Sequence, residues 1–203
     1  LSGFVYAYRP FKMGFQKFLT KKARRLLLPM LTVGTLFALM QAMTPGANSS
    51  IENLYYIHIV PVAHFWFIES LFLLFIVVCI LEKLQLFGSI NRYISVLIVS
   101  SVFYVSPIDI KYFSVSGLFY LLPYFLIGMG MYRYKLVDKL NLSITLICSL
   151  LTIAFFVAVY MDAIPMYGKR ALPSLVVGGG ACVALLSIGL KSSFLARIGG
   201  FSY

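Results

Sequence analysis

The sequence predicts an all-α fold, a multi-pass transmembrane helical bundle, and three observations carry that prediction. Of 203 residues, 61% are hydrophobic and only 11% charged, with a mean hydropathy of +0.94. Soluble domains carry roughly 25% charged residues, so the apolar surface here must face lipid and not merely a core. Apolar runs long enough for bilayer hydrocarbon, roughly 30 Å, recur along the chain. The cations fall in the short segments between those runs, where the orientation rule for membrane spans puts them. Six such runs in a chain of this length leave too little polar surface for a soluble domain.

Taken in order, Leu1 to Tyr8 reads as the last turns of a preceding span, and Pro10 restricts Arg9 to extended or turn geometry. Phe11 to Arg25 is basic, with Phe11, Phe15, Phe18 and Leu19 at helical spacing, which predicts an interfacial helix lying along the inner leaflet. Leu26 to Met43 carries no charge over 18 residues, roughly 27 Å of helix, and is the first complete span. Five more complete spans follow at 66–84, 90–105, 117–132, 144–161 and 172–190. Turn chemistry at Pro45, Gly46 and Asn48 to Ser50, and at Ser106-Pro107, marks loops on the other side.

The charges check this threading. Fourteen of the 17 cations fall in inner segments, and only Lys111, Lys169 and Arg170 fall outside; six alternating spans with both ends on the cytoplasmic side satisfy the rule. The net charge of +11 is thereby explained without nucleic acid. Cys79, Cys148 and Cys182 sit singly in apolar runs with no metal-ligand spacing and read as small buried residues. The chain has no initiator Met, and its abrupt ends suggest that residues 1–203 are a partial domain of something longer.

Few residues suggest chemistry. Lys21, Lys22, Arg24 and Arg25 form a cation cluster at the head of the first span, fit either for fixing topology or for holding a phosphorylated ligand. Glu69 is a carboxylate about one turn into the second span, facing a polar partner or cavity, or else snorkelling to the outer interface. His64 and His58 stand near the same interface as candidate proton acceptors, or as amphipathic surface residues. Trp66, Tyr55, Tyr56 and Tyr93 read as aromatic-belt anchors. Gly178 to Gly180 would let helix backbones approach closely.

LSGF at Leu1 to Phe4, Lys22-Ala23-Arg24-Arg25 followed by Leu26 and Pro29, HFWFIESLF at His64 to Phe72, YFLIGMGMYRYK at Tyr124 to Lys135 and IGGFSY at Ile198 to Tyr203 occur in that order. The series resembles the acyltransferase-3 family of membrane acyltransferases, notably its fucose 4-O-acetylase-like and polysaccharide O-acetyltransferase branch. The resemblance implies an O-acyltransferase that moves an acyl group, acetyl first among candidates, from acyl-CoA to a hydroxyl of a cell-surface glycan or its lipid-linked precursor. It implies a bacterial inner-membrane location, membrane lipid as surroundings, and no permanently bound cofactor or metal, acyl-CoA being a cosubstrate. It maps the cytoplasmic Arg-x-x-Arg of the family onto Lys22 and Arg25, with Arg24 as a substitute, for the CoA phosphates. Lys keeps the charge and loses the bidentate fork. Of the candidates for the acceptor sugar, Trp66, Glu69 and His64, the family motif includes Trp66, whose aromatic face suits stacking on sugar; the family pattern is variable at Glu69. The His thought essential in the family falls upstream of Leu1, so these residues alone are expected to be inactive. A multi-pass transporter or flippase for a polysaccharide precursor or other solute is the rival, though no repeated halves are visible.

Overall fold

A computed structural model describes residues 2–8, 14–44, 59, 65–110, 112–136, 138, 142–161 and 170–187. All regular structure among the described residues is helical: α1 (Ser2–Tyr8), α2 (Phe15–Ala42), α3 (Trp66–Lys83), α4 (Ile90–Val105), a 3-10 turn (Tyr112–Ser114), α5 (Val115–Arg133), α6 (Leu142–Tyr160) and α7 (Leu172–Ser187). Among the described residues three helices are long and apolar enough to cross a membrane, Phe15–Ala42, Tyr112–Arg133 and Leu142–Tyr160. α4 and α7 are apolar but shorter, and α3 carries Glu69, Glu82 and Lys83.

An interfacial helix separate from a span at 26–43 is not formed; Phe15 to Ala42 is one helix of 28 residues, about 42 Å long. Pro29 cannot donate to the carbonyl of Arg25, yet the helix runs through it, and Thr32 spends its hydroxyl on the carbonyls of Leu28 and Pro29, both at 3.1 Å. The basic half therefore stands upright beside α3. Phe37 meets Phe65 at one end, with ring centroids 6.0 Å apart, and Phe18 meets Phe75 toward the other, at 5.8 Å, so α2 and α3 are antiparallel.

α5 is the hub. It packs against α1, α3, α4 and α7, and Leu122, Pro123, Phe125, Leu126, Gly128 and Met129 are among its buried residues. Lipid tails are as apolar as this core, so burial alone does not favour association; close backbone approach and buried hydrogen bonds do. Glycine supplies the approach. A Cβ on Gly3 would lie 2.8 Å from the carbonyl carbon of Phe125 and 2.9 Å from the amide of Met129, and one on Gly117 would lie 2.9 Å from the Trp66 ring. The predicted role of the α7 glycines holds in part: a Cβ on Gly178 would lie 2.7 Å from the Tyr124 ring, and one on Gly180 2.8 Å from the Thr152 hydroxyl.

Hydrogen bonds supply the rest. Tyr104 is fully buried, and its hydroxyl joins those of Tyr124 at 3.2 Å and Ser174 at 2.9 Å, tying α4, α5 and α7 together. Tyr104→Phe should lower the stability of the detergent-purified protein by about 1 kcal/mol, read as a fall in its thermal midpoint. Tyr93, expected at the headgroups, is instead buried, its hydroxyl donating to the carbonyl of Leu126. Tyr55 and Tyr56 lie outside the described residues. α6 buries no residue and packs on α7.

Candidate functional site

α3 and α5 lie side by side and parallel, as the contacts Ser70 to Gly117, Phe75 to Phe125 and Glu82 to Arg133 show. They end at one level by the same device. After α3 the amide of Leu86 bonds the carbonyl of Leu81, and after α5 that of Leu136 bonds Met131. Gln85 (φ 55°) and Lys135 (φ 51°) occupy the left-handed position usually given to glycine. α4 starts beside them, capped by Ser89, whose hydroxyl accepts from the amide of Arg92. This is the basic end of the bundle, where the Arg133 guanidinium meets both carboxylate oxygens of Glu82, at 2.6 and 3.3 Å.

A cavity of about 660 Å³ opens between α1, α3 and the end of α5, a ligand-sized volume. Among the described residues Glu82, Arg133, Lys135 and Asp138 are its charged groups, and Phe4, Ala7, Met129 and Met131 form its apolar wall. Arg133 also lies 5.7 Å from the centre of the Phe87 ring. Tyr134, just past the helix, donates its hydroxyl to the carbonyl of Phe87 at 3.2 Å; burial holds its phenol above the ordinary tyrosine value, so it remains a donor.

Tyr6 links the cavity to the cation cluster. It lines the cavity, and its ring centre lies 6.0 Å from Phe18, 6.3 Å from Phe75 and 5.6 Å from Phe125. On these rings rests Lys22, its ammonium 4.4 Å from the centre of Phe75 and 5.6 Å from that of Phe18, within cation–π range. Lys22 is half-buried and faces the bundle, whereas Arg24 and Arg25 are exposed. Among the described residues no carboxylate forms an ion pair with Lys22. The predicted cluster of four is thus divided: Lys22 turns inward onto the rings that adjoin Tyr6, while Lys21, Arg24 and Arg25 are exposed.

The other candidate residues lie at the opposite end. Glu69 is 6% exposed and accepts from the Ser114 hydroxyl at 2.9 Å, so it turns into the bundle and does not snorkel. Ser114 can reach it because Phe113 and Ser114 are both left-handed, at φ 50° and 52°; Ser70 in turn donates to the carbonyl of Ser114 at 2.9 Å. Trp66 stands above, 37% exposed. His64 and His58 lie outside the described residues. Lys22 rests on Phe75, midway along α3, and its ring contacts are with Phe18 and Phe75 whereas Glu69 is held by Ser114, so the acceptor and donor candidates have separate surroundings. The Glu82–Arg133 pair, Tyr6 and Ser114 were not singled out in the sequence; a carboxylate at the end of the run at 66–84 and a guanidinium at the end of the run at 117–132, both on the inner side, were the available signal for the first.

Apolar helices sharing a buried polar interior and one basic end define an integral membrane protein. Its family follows from the whole chain: the acyltransferase-3 profile, described as an acyltransferase domain, matches residues 1–203, and the chain belongs to that family of membrane acyltransferases. Comparison with curated proteins and with solved structures found no match.

Proposed function

We propose that the protein is an O-acyltransferase that takes an acyl group, acetyl first among candidates, from acyl-CoA on the cytoplasmic side and passes it to a hydroxyl of a cell-surface glycan or its lipid-linked precursor. This places it in the fucose 4-O-acetylase-like and polysaccharide O-acetyltransferase branch, with six spans in a bacterial inner membrane and the basic end inward. Family membership supports the reaction class. The observation that carries the donor is Lys22, a half-buried cation held on the Phe18 and Phe75 rings, which Tyr6 joins to a ligand-sized cavity. Such an ammonium is costly to hold in a bundle unless something anionic offsets it, and the phosphates of CoA supply that charge. Arg24 and Arg25, exposed on the same turn, would draw the donor toward the membrane without enclosing it.

In the reaction the sugar oxygen attacks the thioester carbonyl as a base takes its proton, and CoA leaves as the thiolate. Glu69, Trp66 and His64 are the residues proposed for the acceptor at the other end. An aromatic face suits a sugar ring, and a carboxylate held by Ser114 can accept from its hydroxyls. The test is glycan O-acetylation by cells carrying the complete gene, with Lys22, Arg24 and Arg25 changed together to Gln. Loss of O-acetylation with normal membrane insertion supports the reading. Unchanged O-acetylation removes the donor role, and a defect in insertion alone leaves the cluster with topology only.

A further inference from the structure

We propose that Arg133 and Lys135 form a phosphate-ester site in the cavity between α1, α3 and α5, where Glu82 is the anion that an incoming phosphate replaces. The inference rests on the reading that acyl-CoA docks at the basic end, and it names residues there that lie outside the Lys22–Arg25 cluster.

Four observations converge. The Glu82–Arg133 pair lines the cavity, and both side chains are about one-third exposed, 33% and 35%, so the pair is worth little net and the released carboxylate rehydrates readily. Arg133 has a second hold, the Phe87 ring at 5.7 Å, which keeps the guanidinium in place once Glu82 departs. Lys135 is set on the cavity by a left-handed backbone that a lysine adopts only at a cost. The wall beyond these cations is apolar, with Phe4, Ala7, Met129 and Met131.

The charges explain why an exchange is needed. Among the described residues Arg133 and Lys135 are matched by Glu82 and Asp138, so Arg133 is already paired when an anion arrives. A phosphate that takes the place of Glu82 on Arg133 leaves no guanidinium unpaired at any stage, and it accepts the planar fork as well as a carboxylate does, with more charge. The ligand so described is a phosphate ester on a slender, largely uncharged arm. A nucleotide-linked thioester has that chemistry, and so does a phospholipid.

The test uses the full-length protein in phosphate-free maltoside detergent, titrated with CoA and separately with a soluble short-chain phosphatidylglycerol. Glu82→Gln should tighten CoA binding about threefold or more, because a competitor is removed. Arg133→Gln should weaken it about tenfold or more, and Arg133→Lys, which keeps the ion pair and guards against simple misfolding, should fall between. Opposite signs at the two ends of one ion pair are the signature. Equal weakening by Glu82→Gln and Arg133→Gln, with a common drop in thermal midpoint, would overturn the site in favour of a structural clamp, and so would indifference of both ligands to all three variants. If CoA fails to bind any form while the phosphatidylglycerol shows the opposite-sign pattern, the site stands as a lipid-phosphate site and the donor reading falls. If CoA binds and acyl transfer proceeds with no response to these variants, the donor reading stands and the site falls.

Discussion

Gly3→Ala should cost the protein its fold, a destabilisation of about 3 kcal/mol or more, seen as loss of the monodisperse detergent-solubilised protein and of acyl transfer together. The added methyl meets backbone, the carbonyl of Phe125 and the amide of Met129, and backbone inside a packed helix cannot turn aside as a side chain can. α1 would have to lift from α5, taking Tyr6 from the rings of Phe18, Phe75 and Phe125 and opening the cavity that Phe4, Tyr6 and Ala7 help to line. Gly128→Ala is the control on the facing helix: its Cβ would lie 3.2 Å from the amide of Phe4, a contact that a shift of a few tenths of an ångström relieves. A Gly3→Ala protein as stable as its parent would show that α1 does not seat as described.

Lys22→Glu should reduce acyl transfer at least a hundredfold, while Lys22→Arg retains most of it. A carboxylate at this position would face the negative π-surfaces of Phe18 and Phe75, losing about 1–2 kcal/mol of cation–π attraction. It would also be a partly buried charge of the wrong sign for a phosphorylated donor. Arg keeps both the charge and the stacking. The measurement is glycan O-acetylation, normalised to inserted protein in the membrane fraction. Equal insertion with a hundredfold loss marks a ligand-facing cation. Unchanged transfer by Lys22→Glu would show that the ammonium serves only to orient the chain.

The helices were legible in the sequence because apolar runs have sharp polar borders: α4 was expected at 90–105 and found at Ile90–Val105, with Ser89 as its cap and Pro107 beyond its end. What runs of hydropathy do not encode is direction relative to neighbours. Phe15 to Arg25 has the alternation of an interfacial helix, and only the contacts of Phe18 and Lys22 with the Phe75 ring reveal that it runs alongside α3. Tyr93 looked like an anchor by composition, but its hydroxyl finds the Leu126 carbonyl across the bundle. The shared ending of α3 and α5 was hidden because Gln85 and Lys135 hold positions where glycine is the usual sign. The candidate site was half visible. The charge cluster announced itself, whereas Lys22's inward turn and the Glu82–Arg133 pair depend on which faces meet.

α6 differs from the rest of the molecule. With no buried residue and α7 as its neighbour, it meets its surroundings mainly through Leu150, Leu151, Phe156 and other exposed apolar side chains. Almost any greasy helix former would serve at these places, since hydrocarbon is an undemanding partner that reshapes itself around whatever it touches. Stability there is a property of average oiliness, spread over a whole surface, whereas where α1 meets α5 one surplus methyl on Gly3 is decisive.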